Sequence, residues 1–395
     1  MKEKGYLQTY YGRSGIKEYD GSEDCSVYQI ENTDLVEFCE YLRAIQEDGF
    51  ELYAENRIRD NYFYTYFGKN TELHAYFTAH DRRARIIADR KTKLFPREKE
   101  ICPRNTDTVL FQFELDYRKI DCGMCYIIQT CEGNFFIIDS AHMFSENDHE
   151  RIYDFLKKRK KGNGPIVISG WYLTHAHQDH IVKFMDFIRA GYQDVILENI
   201  YYNFPECGIP GSECWKEADK ETMHEFHDFM EKHTELRKIR VHTGQRFFIG
   251  NLTFTVLSTH EDLIDDPLEC YNNASSVLLM EAEGSRVLFL GDANVLPCEE
   301  MTARYGKELK ADIVQVAHHG FNDANAGIYC MVRADTALYP TDRMSLEKHA
   351  DSESNQMIRK MQKEIFLAGD GTAAFLLPYQ TGRAIVYPCE INMEE

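Results

Sequence analysis

The sequence predicts an α/β protein whose buried strands deliver metal-ligand side chains from one edge of a sheet, with a small α+β unit ahead of it. Three observations carry this. Thr174-His175-Ala176-His177-Gln178-Asp179-His180 gathers three histidines and a carboxylate between an apolar, β-branched stretch (165–173) that reads as a buried strand and a stretch (181–188) with helical spacing. Asp139, Asp292 and His318-His319 recur at the ends of other strand-like runs. Strand hairpins interleave with helices over 106–395, whereas residues 33–88 read as one helix followed by antiparallel strands.

Residues 1–32 are polar and weakly patterned. Thr33 or Asp34 can cap a helix whose Leu35, Phe38, Leu42 and Ile45 form one apolar stripe and which Gly49 ends. Strand-like runs follow at 50–58, 62–67 and 73–78, with Gly68-Lys69-Asn70 turning between the last two, and 84–88 adds a further strand. The basic stretch 82–99 reads as a solvated linker ending at Pro103. This first unit, 1–105, holds His74 and His80 but no ligand spacing; its expected roles are oligomerisation, substrate capping or partner binding.

The second unit, 106–395, opens with strands at 109–115, 124–130 and 135–138, the third ending in Asp139. A charged helix (148–160) precedes the ligand stretch. A strand (194–199) and a helix (212–236) follow, the helix carrying His224, His227 and His233; His224 and His227 share one face and are read as solvent-facing rather than metal-binding. Strands at 246–248 and 252–257 come next. A hairpin (277–281 with 286–290) then turns at Glu283-Gly284 and ends in Gly291-Asp292-Ala293. After a helix (297–307), a strand (313–316) leads into His318-His319-Gly320. A strand (336–339), a helix (351–363) and a last hairpin (373–377 with 383–387) complete the chain.

The H-x-H-x-D-H spacing splits naturally, His175 and His177 toward one divalent ion, Asp179 and His180 toward a second. Scattered surface histidines are the plain alternative, but 15 histidines in 395 residues do not produce this pattern by chance. With 43% hydrophobic and 28% charged residues the chain has ample material for a core. A net charge of -20 argues against broad binding to nucleic-acid backbones, although bound cations make a site locally positive. The opening MKEKGYLQTYYGRSG has no apolar core, and no run of about 18 apolar residues occurs, so neither a signal peptide nor a membrane span is expected, and the cytoplasm is the expected location. The 12 cysteines include one isolated C-x-x-C, Cys122 to Cys125, read as reduced, buried thiols.

On these residues the chain from about 106 to 395 resembles the metallo-β-lactamase fold superfamily, an αβ/βα sandwich. Asn272-Asn273-Ala274-Ser275-Ser276, Leu288-Phe289-Leu290-Gly291-Asp292-Ala293 and Val316-Ala317-His318-His319-Gly320 are most similar to the hydrolase domain of ComEC-type DNA-uptake channel proteins and their free-standing relatives, which include phosphorylcholine esterases. Residues 1–105 lie outside the resemblance. It implies two divalent ions (zinc, with manganese or iron as alternatives) sharing Asp292, with His175 and His177 on the first, and Asp179, His180 and one of His318/His319 on the second. Asp139 is expected to hydrogen-bond a ligand histidine. Asp179 is expected to steer a proton as well, and His349 or the non-ligating member of His318/His319 to act as acid or oxyanion donor. One departure stands out. Many members carry a histidine in the loop before the 277 strand, where this chain reads Cys270-Tyr271-Asn272-Asn273, and His260 comes too early. The first ion's shell is therefore expected to be short, with Asn272 or water completing it. The implied reaction is hydrolysis of a phosphodiester or similar small anionic ester. Lactone, thioester or amide hydrolysis, di-iron redox chemistry, and a binding protein with a vestigial site are the alternatives.

Overall fold

The computed structural model describes residues 16–388 except 23, 91 and 322–324. Strands β1 (Ile16–Ser22), β2 (Cys25–Ile30), β3 (Glu51–Ile58), β4 (Asn61–Gly68), β5 (Thr71–Thr78) and β6 (Arg83–Asp89) form an antiparallel sheet in the order β1-β2-β6-β5-β4-β3. Helix α1 (Leu35–Glu47) starts at Asp34, whose carboxylate accepts the Val36 and Glu37 amides, and buries Phe38, Tyr41, Leu42 and Ile45 against one face of this sheet.

A second sheet contains β7 (Val109–Gln112), β8 (Tyr126–Gln129), β9 (Phe135–Ile138), β10 (Ile166–Tyr172), β11 (Val195–Leu197), β12 (Ile200–Tyr202) and β13 (Lys238–Arg240). A third runs β14 (Arg246–Ile249), β15 (Leu252–Ser258), β16 (Val277–Ala282), β17 (Ser285–Phe289), β18 (Ile313–Gln315), β19 (Thr336–Tyr339) and β20 (Glu364–Leu367), in chain order. The chain then returns to the second sheet, where β21 (Ala373–Leu376) pairs with β7 and β22 (Ile385–Val386) pairs with β21. Side chains alternate as strand geometry requires. On β9, Phe136 and Ile138 point to the third sheet, while Phe135 and Ile137 face α2 (Asp148–Arg159), α3 (Gln178–Ala190) and α4 (Glu217–Lys232). On β17, Val287 and Phe289 point to the second sheet and Leu288 points outward. The outward face is covered by α5 (Val295–Tyr305), α6 (Ala326–Val332) and α8 (Glu353–Met361), with α7 (Arg343–Lys348) at its edge. The layers are thus helix, sheet, sheet, helix: an αβ/βα sandwich preceded by an α+β unit. Among the described residues no helix is long and apolar enough to cross a membrane.

Three expectations are corrected here. Of the stretch 82–99 read as a solvated linker, residues 83–89 form the strand expected at 84–88, an inner strand, β6, in which Arg85 is 1% exposed and donates to the Asp262 carbonyl at 3.1 Å. Within 16–30, read as weakly patterned, lie two paired strands, β1 and β2. The 212–236 helix is divided, a 3-10 turn at Ser212–Cys214 preceding α4.

Candidate metal centre

The site is built where strands end. Asp139 follows β9 in a left-handed conformation (φ 54°) and turns its carboxylate across to the loop after β10, where Oδ1 accepts the Thr174 amide at 2.8 Å and Oδ2 accepts the Thr174 hydroxyl at 2.7 Å. The same Oδ2 lies 2.6 Å from His180 Nδ1, which turns His180 Nε2 away from Asp139. After β17, Gly291 also takes a left-handed turn (φ 55°), and a Cβ there would meet Thr174 and Ser275 at 3.2 Å. Gln315 clamps this turn: its Oε1 accepts the Leu290 and Gly291 amides and its Nε2 donates to the Gly291 carbonyl. The Asp292 amide donates to Ser275 Oγ. After β18, His318 and His319 both sit at positive φ (47° and 54°), which sends adjacent side chains in different directions.

Two groups of donor atoms converge, each within 4.8 Å: Asp179, His180, Asp292 and His319 in one, His175, His177 and Asp292 in the other. Asp292 Oδ2 is common ground, 3.7 Å from His175 Nε2, 3.3 Å from His180 Nε2 and 3.2 Å from His319 Nε2. His319 Nε2 is also 3.0 Å from Asp179 Oδ2, and His175 Nε2 faces His177 Nδ1 at 2.9 Å. His175, His180, His319 and Asp292 are buried, yet His180 Nε2, His319 Nε2 and Asp292 Oδ1 make no hydrogen bond. Buried polar atoms are normally satisfied. Imidazole nitrogens and carboxylate oxygens left without partners around a common point fit divalent cations.

The electrostatics run the same way. Burial pushes the Asp292 and Asp179 carboxyls up, but the neighbouring histidines outweigh it and hold both well below the usual carboxylate range. Burial disfavours charge on His180, and Asp292, Asp179 and Asp139 overcome it, so its pKa is raised. His175, facing other imidazoles, is driven well below its ordinary value, first by burial and then by His180 and His177, so it stays a neutral donor.

The other expected residues lie as follows. His318 is half-buried outside both donor groups, its Nε2 3.0 Å from Asn272 Nδ2; His319 is the member of the pair whose Nε2 turns inward, its Nδ1 bonded to the Pro340 carbonyl at 2.9 Å. His349 is one ring further out, its ring 4.7 Å from that of Phe321, which in turn packs on His318 and His319. His260 is away from the centre, beside Glu261 and the Asn203 backbone. Three residues given no site role from the sequence join the site. Tyr271 packs its ring 5.0 Å from His177 and 4.7 Å from Trp215. The Cys122 thiol is in contact with the Asp179 carboxylate, and burial pushes its pKa up. Asp219, on α4, lies 3.6 Å from His177 Nε2. No spacing rule links them to the motif, since they come from loops and a helix remote from it in the chain.

No family model and no curated protein matches the chain. Among solved structures it is similar to the metallo-β-lactamase fold protein YhfI from Bacillus subtilis (12% identity, covering 66% of this chain and 97% of that one, TM-score 0.41). It is also similar to CmlA, a diiron β-hydroxylase from Streptomyces venezuelae (13% identity, 70% and 55%, TM-score 0.43), of which it spans about half. A third is human tRNase Z, short form (12% identity, 66% and 95%, TM-score 0.37). The αβ/βα sandwich of this chain follows from its own layer order and sheet topology, described above.

Proposed function

We propose that this protein is a metal-dependent hydrolase acting on a phosphodiester or a similar small anionic ester. The observation that carries the reading is the buried Asp292 carboxylate, shared by two groups of inward-turned histidines, of which His180 Nε2 and His319 Nε2 are buried and make no hydrogen bond. His175, His177 and Asp292 would hold one ion; Asp179, His180, Asp292 and His319 would hold the other. When bound, divalent ions supply Lewis acidity and lower the pKa of coordinated water from near 16 to about 7.

The chain's own residues supply the rest. Asp139 and the Pro340 carbonyl orient His180 and His319 through their Nδ1 atoms. Asp179, at 13% side-chain exposure against 2% for Asp292, is the carboxylate placed to take up a proton from the open side. His318, paired with Asn272, offers a hydrogen bond or a proton to oxygen at the rim. The oxygens of Asn272, Asn273 and Asn294, buried and unbonded, supply acceptors for polar groups of a substrate. The net charge of -20 disfavours a long polyanion and leaves a small anion, drawn by bound cations, as the fitting substrate.

The test loads the protein with zinc, manganese or iron and assays bis-(p-nitrophenyl) phosphate, a lactone and a thioester, with Asp292→Ala as blank. Phosphodiester cleavage lost in the variant is expected. Cleavage of the lactone or thioester alone would replace the substrate class; no metal-dependent turnover of any of the three would overturn hydrolysis.

A further inference from the structure

Each histidine of the centre has its outer ring nitrogen against a specific partner. His175 Nδ1 is 3.1 Å from Thr174 Oγ1, His180 Nδ1 is 2.6 Å from Asp139, and His319 Nδ1 is 2.9 Å from the Pro340 carbonyl. His177 differs in two ways. Its Nδ1, not its Nε2, faces the centre, and its Nε2 points to Asp219 Oδ2 at 3.6 Å, slightly beyond a hydrogen bond. Asp219 is outside both groups of converging donors, so it addresses the far edge of the ring. The first turn of α4 is held to the ligand loop in two other ways. Gln178 Nε2 donates to the Ala218 carbonyl at 3.4 Å, and Trp215, just before the helix, packs on Tyr271, which packs on His177.

We infer that Asp219 is a positioning residue that fixes His177 with Nδ1 toward the first metal and the proton on Nε2, so that α4 governs occupancy of that half of the centre. The inference rests on the metal-centre reading above. It follows from the donor count: the half-site of His175, His177 and Asp292 has three protein donors against four in the other, so a freely rotating His177 leaves two. Carboxylate partners of ligand histidines typically set metal affinity by about 10–100-fold. The Asp219→Asn variant keeps the shape without the charge, Asp219→Ala removes both, and Asp219→Glu is the conservative rescue.

Cobalt(II) titration followed by visible absorption, with elemental analysis, reads the two halves separately. Expected is a wild type taking two equivalents, and Asn and Ala variants that keep the equivalent bound by Asp179, His180, Asp292 and His319 but bind the other about 10–100-fold more weakly, with partial recovery in the Glu variant. Two equivalents at wild-type affinity in the Ala variant overturn the role of Asp219. A wild type that takes up no cobalt overturns the metal-centre reading itself and this inference with it. Histidine-selective 15N labelling of the zinc-loaded wild type is an independent readout that does not require a variant to fold: zinc on His177 Nδ1 with a proton on Nε2 is expected, and zinc on Nε2 overturns the inference.

Discussion

At the scale of single residues, the centre depends on carboxylates that touch more than one partner. Asp292 lies within 3.7 Å of three candidate ligand histidines, so Asp292→Ala is expected to lower uptake of both ions together while circular dichroism stays native. Loss of only one equivalent would show that the carboxylate is not shared. Asp139 touches His180 directly and reaches His175 only through the Thr174 hydroxyl, and Asp139→Asn keeps its volume. Affinity of the second half-site is expected to fall about 10–100-fold, with the first half-site little changed; a titration unchanged from wild type would reduce Asp139 to a fold-building role. His175, His177, Asp179 and His180 stood out in the sequence because donors so close together at a strand end have few structural reasons to cluster, and Asp139 and Asp292 because each follows an apolar strand run. The sequence could not choose between His318 and His319. Adjacent residues differ in direction only through the backbone, and it is the consecutive positive φ angles that turn His319 inward. Asp219 was illegible for another reason: it arrives from a helix some forty positions downstream of its partner, in a run of acidic and basic residues where one more aspartate reads as surface.

At the scale of elements, strands were readable where apolar residues run together, as in β9 and β17, and harder to read where charges interrupt them. β6 shows both sides: a strand was expected at 84–88, but Arg83 and Arg85 made the surrounding stretch look solvated, yet Arg85 is buried against the Asp262 carbonyl. The same seam between the first sheet and the sandwich holds further buried ionisable groups. The Glu72 carboxyl is pushed up to about 7, chiefly by burial, with His242 opposing and Asp89 adding. Gln245 Nε2 donates to it at 2.7 Å. His74, stacked 5.5 Å from His242, is lowered to about 3 by burial and by His242. Glu261, despite burial, is held at about 2 by His242, while His242 is raised, mainly by Glu261. Arg240 pairs with Asp89 at 2.9 Å. Between about 4.5 and 7 the folded state keeps the Glu72 proton that the unfolded chain has lost, so this group's contribution to stability falls as pH rises. His74 works the other way, since the unfolded chain binds its proton first, and stability rises with pH between about 3 and 6.5. Glu261 adds a rise from about 2 to 4.5, and His242 a fall above 6.5. Their sum is a plateau on the acid side of neutrality. Glu72→Gln removes one falling limb, so the variant is expected to gain on wild type by about 1–3 kcal/mol between pH 5 and 7. Denaturant melts at several pH values check this, and a stability difference independent of pH would rule it out.

At the scale of the whole molecule, the question is whether the first sheet is an appendage or part of one cooperative structure. The sequence sets residues 1–105 apart, because the family-like pattern begins after them and they carry no ligand spacing. What joins the two parts was hidden, since the joining residues are polar and resemble surface residues when read in sequence. Tyr76 donates to Asp262 Oδ1 at 2.9 Å, Arg304 pairs with the same carboxylate at 2.9 Å, and Asn61 Nδ2 donates to the Arg304 carbonyl at 3.0 Å. Phe63, Tyr76 and Ile87 from the first sheet share one core with Leu257, Leu279 and Tyr305 of the sandwich. Separating the two would leave Arg304, buried at 2% exposure, without Tyr76 and Asn61 and would strip that core. The full chain is therefore expected to unfold in one calorimetric transition, with metal raising its midpoint through binding to the folded state alone. Gly244 gives the sharper test. It sits at φ +86°, its carbonyl accepts Asn56 Nδ2 at 2.9 Å, and a Cβ there would fall 1.8 Å from Phe63 Cδ1. Gly244→Ala must push the Phe63 ring, and β4 with it, off the sandwich, at a cost of about 1–3 kcal/mol or more. The expected outcome is a lower midpoint that remains a single transition. A first transition that splits off in the variant, or is already separate in wild type, would show that the first sheet melts independently and that its buried polar seam does not bind the molecule into one folding unit.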